Sequence, residues 1–67
     1  MGLDSLPTAN IHEEFGKFYL EQERYKVSYE HLKKCYDIRV KVIRNKKSKE
    51  IERISTLLVF LHRKIEL

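Results

Sequence analysis

The chain contains 67 residues, of which 36% are charged and 42% are hydrophobic. A chain of this length forms at most one small domain and buries only about 60% of the surface that it exposes when unfolded. The composition therefore excludes a multidomain enzyme, a channel and a disordered segment. The single cysteine, Cys35, cannot form an intramolecular disulfide. Without a basic, apolar leader or an apolar run of bilayer length, the chain is expected to be cytoplasmic and to make no membrane contact.

The net charge is +4, and the excess of basic over acidic residues lies in the second half of the chain. Residues 35–67 contain nine Lys or Arg and four Asp or Glu, and the basic residues are densest from Arg39 to Lys49. Two interpretations remain open. The favoured one is a solvated helix end, whose cations complement the helix dipole. The other is a surface that attracts nucleic acid or an acidic protein.

Residues 1–8 are predicted to form a short arm, because Pro7 disfavours helix at the residue before it. Helix one is expected to begin between Thr8 and Asn10, where Asn10 followed three residues later by Glu13 resembles a capping box. Apolar residues then recur at helical spacing, which predicts a stripe that faces the core. The stripe consists of Ile11, Phe15, Phe18 and Tyr19.

Helix two is predicted over residues 25–44, because the phase of the apolar stripe changes at residues 22–24. The short separation predicts that the first two helices fold back on each other as an antiparallel hairpin over residues 9–45. Asn45 is the expected end of helix two, since Asn tolerates the left-handed conformation of a helix C-cap.

Helix three is predicted to begin after Ser48, a candidate N-cap, with Glu50 and Glu52 in a first turn where the helix dipole favours anions. It is expected to run to about Ile65, and no segment of the chain alternates as a strand does. The predicted fold class is therefore all-α, with an antiparallel helical hairpin plus a third helix. The apolar residues at helical spacing in this helix are Ile51, Ile54, Leu57, Leu58, Leu61 and Ile65.

The histidines and the cysteine are not spaced as metal ligands or as catalytic residues would be. His12, His31 and His62 lie in different predicted helices, and none is spaced with another ligand as in a zinc site. His31 and Cys35 are four residues apart, as a base and a nucleophile could be, but a thiol at a small-residue packing position is an inert hydrophobe. We therefore expect no catalytic activity, no bound metal and no cofactor.

A repeat is indicated by Phe15-x-x-Phe18-Tyr19, which recurs as Leu57-x-x-Phe60-Leu61 at an offset of 42 residues. The stretch from residue 13 to residue 42 resembles a tetratricopeptide repeat, and in particular the variety with 42-residue repeats found in kinesin light chains. In that family, small residues let paired helices approach closely and large residues pack around them. The matching residues are Phe15, Gly16, Tyr19, Tyr25, Ser28, Leu32 and Cys35.

The resemblance implies a right-handed α-solenoid of one and a half repeats. Residues 9–45 would form the hairpin of the first repeat, and residues 46–67 would form the first helix of a second, incomplete repeat. The chain departs from the family pattern at three places, one of which is the connection after helix two, where Asn45 and Lys46 replace the usual Gly-rich sequence. Glu23 stands where a glycine is usual in the turn between helices, and Leu58 replaces a small residue.

The same resemblance implies a non-catalytic adaptor or scaffold module, such as those in cytoskeletal assemblies, which holds a partner polypeptide in a groove. The apolar third helix predicts self-association or incorporation into a larger complex. The alternative is a small basic three-helix module that binds nucleic acid through residues 39–53. The groove residues that the resemblance implies are Asn10, Glu13, Lys17, Leu20, Glu21, Ser55, Val59, His62 and Arg63.

Overall fold

The computed structural model describes residues 5–44 and 48–66, which form three helices and no strand. The helices are α1 (Leu6–Glu21), α2 (Tyr25–Ile43) and α3 (Lys49–Glu66). The predicted all-α class with three helices is confirmed. Helix α2 lies in the middle and packs against both neighbours, and within the described ranges no Cα atom of α1 lies within 8 Å of one in α3. The solenoid arrangement stays a prediction.

Helix α1 begins at Leu6, earlier than the sequence predicts, and Pro7 lies in its first turn. A proline suits that place because its fixed φ is helical and its missing N–H has no intrahelical acceptor there. The predicted arm over residues 1–8 is therefore too long. The predicted capping box is also wrong, because Asn10 lies inside the helix and both it and Glu13 accept hydrogen bonds from Arg39.

The turn between α1 and α2 is a Schellman motif, the common way in which a helix ends on a left-handed residue. The N–H of Arg24 donates to the carbonyl of Tyr19 at 2.9 Å, and the N–H of Glu23 donates to the carbonyl of Leu20 at 3.0 Å. Glu23 has a φ of 59°, in the left-handed region. A side chain with a Cβ atom is strained there, and glycine is the usual residue at this position of the motif.

Replacing Glu23 with Gly is expected to stabilise the protein by about 1 kcal/mol, because glycine adopts the left-handed conformation without steric strain. For a domain of this size the melting temperature should rise by roughly 4–8 °C, measured by circular dichroism. The matched control is Glu30→Gly at an exposed position inside α2, where glycine should destabilise by about 1 kcal/mol. A Glu23→Gly protein that melts below the wild type would contradict the assignment of strain to this residue.

The other helix ends lie close to their predicted positions. Helix α2 spans residues 25–43, and Arg44 takes the left-handed conformation with a φ of 57° and donates its N–H to the carbonyl of Val40. Asn45, the predicted end of that helix, lies outside the described residues. Helix α3 begins directly after Ser48 and carries Glu50 and Glu52 in its first turn.

Small residues lie where α1 packs against α2. Gly16 is buried, and a Cβ atom added to it would lie 2.5 Å from Cγ of Leu32. The hydroxyl of Ser28 donates a 2.7 Å hydrogen bond to the carbonyl of Gly16, and Cys35 is fully buried in the same core cluster as Leu32. Any larger residue at position 16 would force the two helices or the Leu32 side chain to move.

Three of the four residues of the apolar stripe predicted for the core are exposed, and the fourth, Tyr19, is half-buried beside His31 of α2. Ile11, Phe15 and Phe18 are 56%, 48% and 54% exposed, whereas the buried face consists of Ala9, Glu13 and Gly16. Both stripes have helical spacing, so periodicity alone cannot distinguish them. The stripe with small residues is the buried one because it allows the backbones of α1 and α2 to approach closely. A stripe of large aromatic residues would hold the two backbones apart. The expectation that Phe15 packs in the hairpin core is therefore wrong.

Candidate functional site

A shallow groove of about 440 Å³ lies between α2 and α3. Tyr29 and Tyr36 from α2 form one side, and residues of α3 form the floor and the other side. The Tyr29 and His62 rings lie across the groove from each other, with centroids 6.2 Å apart. We call this feature the α2–α3 groove, and its remaining lining residues are Ser55, Leu58, Val59 and Arg63.

A second depression of about 380 Å³ adjoins the α2–α3 groove along α3. Ser55, Val59 and Arg63 line both depressions and so separate them, whereas Phe60 lines only the second. Val59 and Phe60 are both exposed, and Nζ of Lys64 lies 5.5 Å from the centroid of the Phe60 ring. The outward side of α3 therefore offers a continuous surface that combines apolar side chains with cations.

The ionisable groups at the rim of the α2–α3 groove are largely paired along their own helices. Nζ of Lys33 lies 2.7 Å from an Asp37 carboxylate oxygen, and this hydrogen bond raises the pKa of Lys33. Nδ1 of His62 lies 3.0 Å from a Glu66 carboxylate oxygen. Among the described residues that line the groove, Arg63 carries the fixed charge and no side chain is acidic. The lining is thus weakly cationic.

The two halves of the groove implied by the repeat resemblance do not come together. The α3 half, formed by Ser55, Val59, His62 and Arg63, joins the two tyrosines of α2 instead of the α1 half. On α1, Leu20 packs against the core cluster and Glu21 is exposed at the end of the helix. The remaining α1 residues, Asn10, Glu13 and Lys17, take part in a polar cluster with Arg39.

Glu13 does not line a groove, contrary to the prediction, because it is the centre of a buried ion-pair cluster. Its Oε1 atom accepts a 2.6 Å hydrogen bond from Arg39, and its Oε2 atom lies 3.2 Å from Arg53 and 3.3 Å from Lys17. Arg39 also donates a 2.7 Å hydrogen bond to the side-chain oxygen of Asn10. These contacts connect α1, α2 and α3 through one carboxylate.

Glu13 and Arg39 are only 6% and 4% exposed, so their pairing takes place largely away from water. Burial alone would raise the pKa of Glu13, but the hydrogen bond from Arg39 and the charges of Arg39 and Lys17 outweigh it, and the pKa lies below its usual value. A carboxylate that is ionised and fully engaged in this way serves as a connection between helices.

The sequence contained a signal for this cluster that the charge pattern obscured. Arg39 is seven residues after Leu32 and four after Cys35, so it lies on the buried face of α2. The prediction that Arg39 belongs to an exposed basic surface is therefore wrong, because Arg39 is buried. Arg53 is engaged with Glu13, and residues 46 and 47 lie outside the described part of the chain. The exposed cations at that end are Lys41, Arg44 and Lys49.

The cysteine does not have the environment of a nucleophile. Cys35 is fully buried, and burial raises the pKa of its thiol, whereas a reactive cysteine needs a lowered pKa and access to solvent. The imidazole of His31, four residues earlier, is hydrogen-bonded to His12 of α1. In the described residues, no three side chains of the metal-ligating types His, Cys, Asp and Glu are grouped together.

Comparisons with protein-family models, with curated proteins and with solved structures find no match to this chain. The resemblance to tetratricopeptide repeats therefore stays a prediction. Over the described residues, no helix combines the length and the apolar character needed to cross a bilayer.

Proposed function

We propose that this protein is a non-catalytic interaction module that binds a partner polypeptide in the α2–α3 groove. The observation that supports the proposal is the grouping of Ser55, Val59, His62 and Arg63 with two tyrosines around one depression on a packed helical pair. Tyrosine and arginine are enriched among the residues that contribute most to protein–protein binding. Leu58 and Val59 supply the apolar surface that such a site needs.

The chemistry of the lining defines the partner. A weakly cationic groove with an apolar floor suits a segment that carries an apolar side chain next to a carboxylate. The apolar side chain would pack between Tyr29 and Val59, and the carboxylate would pair with Arg63. Because Arg63 is an exposed residue, its contribution should depend on salt, whereas that of the apolar contact should not.

The proposal can be tested by selecting 12-residue peptides from a displayed random library and measuring their binding by fluorescence anisotropy. We expect the selected peptides to combine Asp or Glu with an apolar residue. Arg63→Glu should weaken their binding at least tenfold, or by about 1.4 kcal/mol. The matched control is the charge reversal Lys26→Glu at an exposed position of α2, which should leave the affinity within about twofold.

Two outcomes of this experiment would contradict the proposal. One is a selection that yields no binding peptide, or peptides whose affinity is unchanged by Arg63→Glu. The other is tight binding of fluorescent oligonucleotides that falls steeply with salt and is lost in Arg44→Glu, as the alternative nucleic-acid-binding function predicts. That alternative assigns binding to residues 39–53, where Lys41, Arg44 and Lys49 are exposed near the end of α2 and the start of α3. Self-association also stays a prediction.

A further inference from the structure

Two histidines from different helices meet on the solvent side of the α1–α2 hairpin. Nδ1 of His12 lies 3.1 Å from Nδ1 of His31, and the ring centroids are 5.4 Å apart. One Nδ1 atom must carry the proton that the other accepts, so a single proton occupies the space between two nitrogen lone-pair positions. The two residues are 19 positions apart in the chain, so their spacing in the sequence gives no indication of the pair.

The orientation of the His31 ring is fixed by aromatic neighbours on α1. It stacks on Tyr19 with an interplanar angle of 8° and a centroid distance of 5.8 Å, and on Phe15 with an angle of 30° and a distance of 5.3 Å. These contacts hold the imidazole in place before any ligand arrives. The binding of a ligand that needs this ring orientation therefore costs little conformational entropy of the His31 side chain.

We propose that His12 and His31 form a transition-metal site in which both Nδ1 atoms bind one ion, such as Zn²⁺, beside the line that joins them, while the imidazole that carried the Nδ1 proton carries it on Nε2 instead. Nitrogen–zinc bonds are about 2.0–2.1 Å long. Two nitrogens separated by 3.1 Å then subtend an angle of about 100° at the ion, close to that of a tetrahedral zinc site. The pair thus has the separation that two cis ligands of one ion require, although it comes from two helices.

The ligand types select the class of metal. Neutral imidazole binds Zn²⁺, Cu²⁺ and Ni²⁺, whereas Ca²⁺ and Mg²⁺ prefer oxygen ligands. With two protein ligands, water completes the coordination of the ion. The positive charge of Lys34 acts on His12 and therefore weakens the binding of a cation.

Metal binding at this site would stabilise the hairpin. The two ligands lie on different helices and are brought together only by folding, so the ion binds the folded state in preference to the unfolded chain. At a free zinc concentration about 100 times the dissociation constant, the ratio of folded to unfolded protein should rise about 100-fold. The proposal is independent of peptide binding in the α2–α3 groove, which lies between the other pair of helices.

The test is a titration of the tag-free, metal-free protein with zinc chloride near pH 7.5, followed by calorimetry and by thermal unfolding. We expect one zinc ion to bind per chain, with a rise in melting temperature that magnesium chloride does not reproduce. His12→Asn and His31→Asn should each weaken binding at least tenfold, since the amide of Asn can keep the hydrogen bond but is a poor zinc ligand. The matched control is His62→Asn at the exposed histidine of α3, which should bind as the wild type does.

Absence of saturable zinc binding to the wild-type protein would overturn the proposal. So would binding that survives in His12→Asn and His31→Asn or is lost in His62→Asn. If either Asn variant fails to fold, the decisive measurement is made on the wild type by nitrogen-15 NMR of the imidazoles. Zinc should then shift the Nδ1 resonances of His12 and His31 and leave those of His62 in place, and any other pattern contradicts the site.

Discussion

Replacing Glu13 with Gln is expected to destabilise the protein by about 3–5 kcal/mol, because the substitution leaves Arg39 buried without its ionic partner. Asn10 and the Gln side chain would still accept hydrogen bonds, but neither neutralises the guanidinium. The cluster would also contain three cations and no anion, since Lys17 and Arg53 are held by the same carboxylate. A single core of this size rarely supplies more than about 3–5 kcal/mol, so the variant should be largely unfolded at room temperature.

Urea and thermal unfolding followed by circular dichroism would measure this effect. The matched control is Glu14→Gln at the neighbouring exposed position, which should change the free energy of unfolding by less than about 0.5 kcal/mol. The double variant Glu13→Leu with Arg39→Leu should recover most of the loss, because an apolar pair removes both buried charges together. A folded, stable Glu13→Gln protein would mean that the carboxylate does not hold the three helices together.

Replacing Leu32 with Ala is expected to destabilise the protein by about 3–4 kcal/mol, because Leu32 is fully buried and its removal leaves a cavity between α1 and α2. The buried carbonyl of Gly16 and the hydroxyl of Ser28 lie beside that space, so it cannot close by collapse without disturbing their hydrogen bond. The exposed control is Ile11→Ala, which removes a side chain of the same size from the outer face of α1 and should cost less than about 1 kcal/mol.

A double-mutant cycle tests whether Gly16 and Leu32 are packed against each other as the structure describes. In the wild-type background, Gly16→Ala should destabilise by about 1 kcal/mol, since the clash of the new methyl with Leu32 outweighs the better helix propensity of Ala. In the Leu32→Ala background the same change should stabilise by about 1 kcal/mol, because the clash is gone and the methyl fills part of the cavity. Both backgrounds are compared in a stabilising osmolyte such as trimethylamine N-oxide, which keeps the Leu32→Ala protein folded. Equal effects of Gly16→Ala in the two backgrounds would contradict the described contact.

The number, order and approximate ends of the helices could be predicted from the sequence, because they depend on local signals. The change of stripe phase at residues 22–24 located the first turn, and Ser48 with the acidic residues after it located the start of α3. Pro7 was misjudged because the same residue disfavours helix before it and favours helix after it.

The side of α1 that packs against α2 could not be predicted from the sequence. Two stripes of residues on this helix have helical spacing, and tertiary packing decides which of them is buried. The aromatic stripe with Ile11, Phe15 and Phe18 is the more hydrophobic, but the stripe with Ala9 and Gly16 allows the closer approach to α2. The same error concealed the role of Glu13, which lies on the buried stripe although the sequence analysis assigned it to a capping box and to the groove.

The composition of the α2–α3 groove was predicted only on its α3 side. The residues of α3 were singled out by the repeat resemblance, which paired them with the first helix, whereas the structure places Tyr29 and Tyr36 of the second helix opposite them. The His12–His31 pair was missed for a similar reason, since its members lie 19 residues apart and meet only through the antiparallel hairpin. Both features require knowledge of which helices are neighbours.

Cys35 makes the opening of the hairpin measurable without adding a probe. Its thiol is the only one in the sequence and is fully buried in the core cluster to which all three helices contribute, so an alkylating reagent can reach it only in molecules whose helices have transiently separated. When closing is much faster than alkylation, the labelling rate is proportional to the fraction of open molecules. A simple time course by mass spectrometry would thus report how often the packing around Cys35 opens under native conditions.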